Sequence, residues 1–188
     1  MNPNDKRLVF YNSKGEKEST IGEYPYYGKK LSHIEKMESF LSMIAVNQKY
    51  QRIYLFGMNT DLIEMYDFKG QLIKKMHGPE LFFPQIKEIT NGEYSKAVKS
   101  DDFRFAYCNP IVIEDEIYVS YSGNIQKKDE EFAPINQILV FDKDCNPIRR
   151  YTLSKPIIMF SVDPKTKYIY STSNIPDYHV IIYKPEVF

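Results

Sequence analysis

The sequence predicts an all-β chain, a β-propeller of four-stranded antiparallel blades. Three observations predict it. Aromatics run high, with 16 Tyr and 12 Phe but no Trp among 188 residues. They stand with Ile, Val and Leu in short runs, the composition of pleated, half-buried strands. A hairpin signature also recurs: an aromatic, an Asx residue, any residue, a polar residue and a turn residue.

In chain order, the first two strands occupy 8–24, across the Lys14-Gly15 turn, and make only the end of a blade. Next, Ser32 and Glu35 form a capping box ahead of Ile34, Met37 and Leu41 at helical spacing, predicting one or two helical turns. A full blade covers 40–77, with strands at Ile53–Phe56 and Ile63–Tyr66 and a turn at Lys69-Gly70. Residues 94–101 read as a second short helix. A further blade covers 103–154, with strands at Ile117–Tyr121 and Ile138–Phe141. Residues 156–188 supply three strands of an incomplete blade.

The repeat carries this division. Tyr11-Asn12-Ser13-Lys14-Gly15, Tyr66-Asp67-Phe68-Lys69-Gly70 and Phe141-Asp142-Lys143-Asp144-Cys145 align. Val180–Pro185 reads as a fourth, degraded copy, and a second element, Arg52-Ile53-Tyr54, Glu116-Ile117-Tyr118 and Tyr168-Ile169-Tyr170, precedes the second, third and fourth copies. Two hairpins per repeat are the pattern of a propeller blade. Cys145 stands where the other copies have glycine, so it or Asn146 takes the left-handed conformation. It reads as a tolerated residue of a surface turn.

Thirteen strands on this count make a little over three blades, whereas propellers close with about 4–8. The chain is therefore expected to be a piece of a longer one. Its open ends would each expose an edge and an apolar blade face, through which copies would self-associate.

Three stretches add a likeness: Ser19–Pro25, Glu116–Gly123 and Gln137–Ile148. Tyr151-Thr152-Leu153 follows, then Val162-Asp163 ahead of Tyr168-Ile169-Tyr170. In this order the chain resembles the C-terminal part of the TolB-like six-bladed β-propeller proteins of Bacteroides and relatives. The match runs from about residue 8 to 183. The resemblance implies an envelope protein, periplasmic or anchored, of unknown activity and usually made with a signal peptide. This chain departs from the pattern in two ways: it lacks the apolar segment of such a peptide, and it lacks the first two to three blades.

Charge and motifs narrow the function. Lys plus Arg and Asp plus Glu both number 25, so no net basic field draws a polyphosphate. Arg104, Phe105 and Tyr107, or Arg149, Arg150 and Tyr151, mix cations with aromatics. Arg149 and Arg150 are strand neighbours pointing to opposite faces, so nucleic acid is not an expected partner. No apolar run is long enough for a transmembrane helix. Gly22 to Lys30 has five residues between its glycines and no Ser or Thr after the lysine, which fails as a phosphate loop. His33, His77 and His179 lie in separate segments, and two cysteines, Cys108 and Cys145, cannot complete a zinc site. Neither a metal nor another cofactor is expected. No nucleophile elbow appears. The acids Glu114-Asp115-Glu116 read as turn charge that solvent keeps ordinary, and Asp129-Glu130-Glu131 as solvated loop charge.

What remains is a binding surface on the long connections 24–40, 77–103 and 122–137. Phe82 and Phe83 either seal a gap between blades or form an aromatic anchor, and Arg104 and Tyr107 offer polar contacts at the channel mouth. No catalytic residue is assigned. The sequence thus favours a non-enzymatic binding or scaffold propeller of the cell envelope, with a protein or glycan partner. The alternative is a hydrolase or lyase acting on glycan or peptide, its acid–base pair assembled from separate blades.

Overall fold

A computed structural model describes residues 6–26, 28, 30–127 and 133–184. Among these are fifteen strands and one short helix. β1 (Lys6–Tyr11) and β2 (Lys17–Glu23) form a hairpin, followed by helix α1 (His33–Ser39). β3 (Ser42–Asn47), β4 (Arg52–Gly57), β5 (Leu62–Asp67) and β6 (Leu72–His77) then pair in sequence order. A separate hairpin of β7 (Ile86–Asn91) and β8 (Tyr94–Lys99) intervenes. The second four-stranded meander is β9 (Tyr107–Ile113), β10 (Glu116–Tyr121), β11 (Ile135–Asp142) and β12 (Pro147–Ile157). β13 (Met159–Val162), β14 (Ile169–Ser173) and β15 (His179–Tyr183) make a three-stranded sheet.

The sheets stack face to face, which explains why their middle strands are apolar on both sides. From β4, Ile53 and Leu55 meet Leu8, Phe10 and Ile21 of the first hairpin. Tyr54 and Phe56 point the other way, to Tyr107, Ile117, Val119 and Phe141. On β10 the alternation repeats: Tyr118 joins Ile138, Val140, Phe160 and Ile169 towards the last sheet. Each such side chain contributes about 1.5–3 kcal/mol on burial. Apolar side chains stay in solvent towards both ends of the stack, with Val9 and Tyr11 on the first hairpin and Ile44 and Val46 on β3 beside it at one end. Met159, Tyr170, Val180 and Ile182 are exposed on the last sheet.

The repeated turn has a single mechanism. Asn12, Asp67 and Asp142 each accept, through Oδ1, the backbone N–H two and four residues on, at 2.8–3.0 Å. The third residue on is left-handed: Gly15 at φ +80°, Gly70 at +84° and Cys145 at +58°. Cys145 therefore holds that conformation itself, a strain of about 1–2 kcal/mol that glycine escapes. Nor is it a surface residue. It is fully buried in the core between the two four-stranded sheets, and burial pushes its thiol up to about 12. Its side chain fills space that glycine would leave empty.

The capping box forms as read: Ser32 Oγ accepts from Glu35 N at 3.1 Å, and Glu35 accepts from Ser32 N at 2.9 Å. The helix expected at 94–101 does not form. Residues 94–99 are β8, paired with β7 from Ile86↔Lys99 to Asn91↔Tyr94. The two-residue loop begins with Gly92 at φ +65°, and glycine in that place makes a tight hairpin. β-Branched Ile86, Ile89, Thr90 and Val98 reinforce the strands. The hairpin packs on α1, where Glu88 N donates to Glu35 Oε1 at 3.3 Å.

Candidate functional site at the loop-bearing end

In an antiparallel meander successive connections alternate between ends. The links 58–61 and 122–134 therefore emerge at the same end as the long connections 24–41 and 78–106. The three connections singled out in the sequence share this end. Its centre is a ridge, residues 78–84, and the ridge is built on Asp61.

Asp61 is wholly buried. Its Oδ2 accepts from Glu80 N at 2.9 Å and Leu81 N at 2.8 Å, and its Oδ1 from Tyr107 Oη at 2.8 Å. Its main chain adds a bond from Gly78 N to Asp61 O at 2.9 Å. Burial pushes the carboxyl up from its ordinary range, against the pull of these hydrogen bonds. The clasp fixes a turn in which Leu81 is left-handed, at φ +44°. Two consecutive aromatics consequently diverge. Phe82 turns inward against the core between the two four-stranded sheets. Phe83 stays half-exposed, edge-on to the His77 ring at 6.4 Å.

Arg104 stands on the other flank of the ridge. Its guanidinium lies 5.7 Å from the Phe82 ring centre. Nη1 donates to Gly123 O at 3.2 Å and lies 3.8 Å from the Glu80 carboxylate. Its backbone bridges to Ile125, stiffening the platform beneath. With Glu80, Ser122, Asn124, Lys127 and Gln137 it lines an open polar cleft of about 550 Å³.

Tyr107 does not reach a channel mouth. It is fully buried, because β9 packs against β3 and β4 and turns its ring into the shared core. Its hydroxyl is spent on Asp61, and burial raises its pKa well above the ordinary phenol. Its part is to position the ridge from below. Of the four residues named from sequence, the structure thus places Phe83 and Arg104 at the surface of one end, with Phe82 half-buried beneath Arg104. It adds Asp61 and Gly78, which carry no local motif. The one available hint was an Asp directly before the apolar run Leu62-Ile63.

A family model described as TolB-like 6-blade propeller-like matches residues 2–165. The chain belongs to the TolB-like propeller family. In structure it is similar to a member of the DUF4221 family from Bacteroides vulgatus, at 11% identity and TM-score 0.61. That likeness covers 97% of this chain and 56% of the other, so the chain spans just over half the length of that relative. The WD40 domain of Neurospora crassa Pan2 is also similar, at 11% identity over 97% of this chain and 61% of that one. With a TM-score of 0.36 it carries no weight here. No curated protein matches the sequence.

The opposite end of this TolB-like chain is occupied by contacts between blades. Asp115, in the β9–β10 turn, accepts from Lys49 Nζ at 2.8 Å and Tyr50 Oη at 2.9 Å. These hydrogen bonds hold its carboxyl below the usual range. Burial alone would raise Glu116, but hydrogen bonds from Tyr118 and Arg149 bring it lower. The cluster at 114–116 thus lies at a turn as read, but Asp115 and Glu116 are held below ordinary acidity, because neighbouring cations and hydroxyls engage them. Lys74 adds bonds to Asp144 O and Asn146 Oδ1, at 3.0 and 2.8 Å. The other acidic run, 129–131, lies outside the described residues. Among the described residues, no three His, Cys, Asp or Glu side chains group as a metal site, and no helix is long and apolar enough to cross a membrane.

Proposed function

We propose that this chain is a binding or scaffold propeller of the bacterial cell envelope, without enzymatic activity. A protein or glycan partner docks at the loop-bearing end through Phe82, Phe83 and Arg104. Tyr107 supports them from inside. Membership of the TolB-like family supports a binding or scaffold role in general terms. The observation that carries the choice of end is Arg104. It is stacked on Phe82 and anchored through Nη1 to Gly123 O, with its guanidinium at the edge of a polar cleft. An arginine so held loses little conformational freedom when it binds.

The test is a glycan array and a peptide panel probed with the 188-residue chain and with Arg104→Ala. The expected result is saturable binding that the variant weakens about tenfold or more, with the melting temperature unchanged. Turnover of a panel member, lost on replacing a single acid, would instead establish the hydrolase or lyase alternative.

The exposed apolar faces at the two ends of the stack support a second partner, another copy of the chain. Sedimentation velocity of the 188-residue chain is expected to show mass increasing with concentration. A concentration-independent monomer would count against this contact.

A further inference from the structure

A groove of about 460 Å³ runs between β6 and β12, each the last strand of its four-stranded sheet. Met76, Leu139, Phe141 and Ile148 give it an apolar floor, of which Ile148 is 43% exposed. Gly78 and Pro79, where the ridge begins, bound one end. The groove and the polar cleft at Arg104 share no lining residue.

The main chain of β6 is the first pointer to an occupant. One edge of this strand has no neighbour in the sheet. Gly78 N donates to Asp61 O, and in an antiparallel pair such bonds recur at every second residue. Met76 and Lys74 therefore turn their N–H and C=O to β5, while Lys75 and His77 turn theirs outward. The main chain of these two has no hydrogen-bond partner among the described residues. His77 lines the groove although its ring packs by Phe83 on the face of β6 opposite Met76, so the groove meets its main chain. Charge is the second pointer. Arg150 pairs with Leu139 and so shares the face that Leu139 turns to the core between the two sheets. It is exposed and has no hydrogen-bond or ion-pair partner among the described residues, whereas Arg149 beside it is bonded to Glu116 and Tyr118. No acid lines the groove.

A strand edge, an apolar floor and an unmatched cation complement an extended peptide, whose main chain pairs with the edge while alternate side chains enter the groove. We infer that this groove binds an extended acidic–apolar peptide segment by strand addition to β6. An apolar side chain lies over Met76 and Ile148, and an acidic one, two residues away on the same face, meets Arg150. The inference goes beyond the docking proposed at Arg104 and does not depend on it.

The probes are acetylated, amidated pentapeptides of threonine with leucine and aspartate at the second and fourth positions, in either order. They are titrated calorimetrically into the 188-residue chain. The better of the two is expected to saturate with a Kd of about 0.1 mM. Replacing its aspartate by asparagine should weaken it about tenfold. N-methylation of alternate residues should do the same in one phase only, because only one set of N–H groups faces β6. Arg150→Met should weaken the parent peptide about tenfold and make the chain indifferent to the asparagine replacement. Ile148→Ser should also weaken it. Both substitutions lie on an exposed outer strand, and an unchanged melting temperature shows that the fold is intact. Absence of saturation, equal binding of the asparagine form, both N-methylated forms matching the parent peptide, or indifference to either substitution overturns the inference. If neither peptide saturates but Arg150→Met lowers self-association in sedimentation, the occupant is a second copy and the inference falls.

Discussion

Gly78→Ala is expected to destabilise the chain by about 3 kcal/mol or more, read as a lowered urea midpoint or as failure to fold. A Cβ at Gly78 would lie far inside contact distance of both Tyr107 Oη and Asp61 Oδ1. These two atoms are bonded to each other in a fully buried setting, so neither can withdraw into solvent. Relief means separating them, and each unsatisfied buried partner costs about 1–3 kcal/mol. Asp61→Asn is the informative companion. The amide oxygen can still accept from Glu80 and Leu81, and its nitrogen can donate to Tyr107, so its cost is expected to be smaller. Because burial raises the Asp61 pKa in the fold, its contribution is fully present below the unfolded value and is lost as pH rises through the folded one. The stability difference between the parent and Asp61→Asn should therefore shift in favour of the variant with rising pH. A Gly78→Ala chain as stable as the parent would show that the clasp does not hold the ridge.

The second large effect is expected where the first hairpin joins the blade of β3–β6. Arg7 and Glu64 are 4% and 2% exposed at the side chain, and Arg7 Nε and Nη2 each lie 2.9 Å from Glu64 Oε2. Arg7 also bonds Phe40 O and, at 2.9 Å, Ser42 Oγ, with the Tyr24 and Phe40 rings at 5.5 and 5.6 Å. Glu64→Leu strands a buried guanidinium, and Arg7→Leu a buried carboxylate. Each is expected to cost about 3–5 kcal/mol, because the surviving charge has no solvent to turn to. The double variant removes both charges and should cost clearly less than the two singles added together. Urea denaturation of the four chains measures the coupling. Strictly additive costs would mean that the two groups act independently.

The blades were legible because their signal is periodic and local. Aromatic and β-branched alternation marks strands, and the Asx-to-left-handed turn marks each outer hairpin through three residues whose chemistry is self-contained. Residues 94–101 were misread because Ala97 and Val98 among lysines suit either structure, while the deciding residue, Gly92, lies upstream of that window. Cys145 was placed in a surface turn because turns usually face water. Only the stacking of two sheets encloses this one. The same limit applies at the site. Arg104 and the two phenylalanines stood out by composition, whereas Asp61 meets Tyr107, 46 positions away, solely through the fold. Tyr107 looked like a ligand contact because its burial is imposed by strands distant in sequence.

The Lys49, Tyr50 and Lys74 bonds at one rim give the assembly a division of labour. Side-chain ties between adjacent wedges run along that rim, whereas at the opposite rim the 78–84 ridge is anchored on one buried carboxylate and a main-chain bond from Ala106 N to Met58 O joins the wedges. Loop segments beyond that anchorage are expected to tolerate exchange or lengthening without loosening the stack, and the connection that carries the β7–β8 hairpin is one of them. Recognition can thus be re-tailored at one rim while the architecture stays fastened at the other.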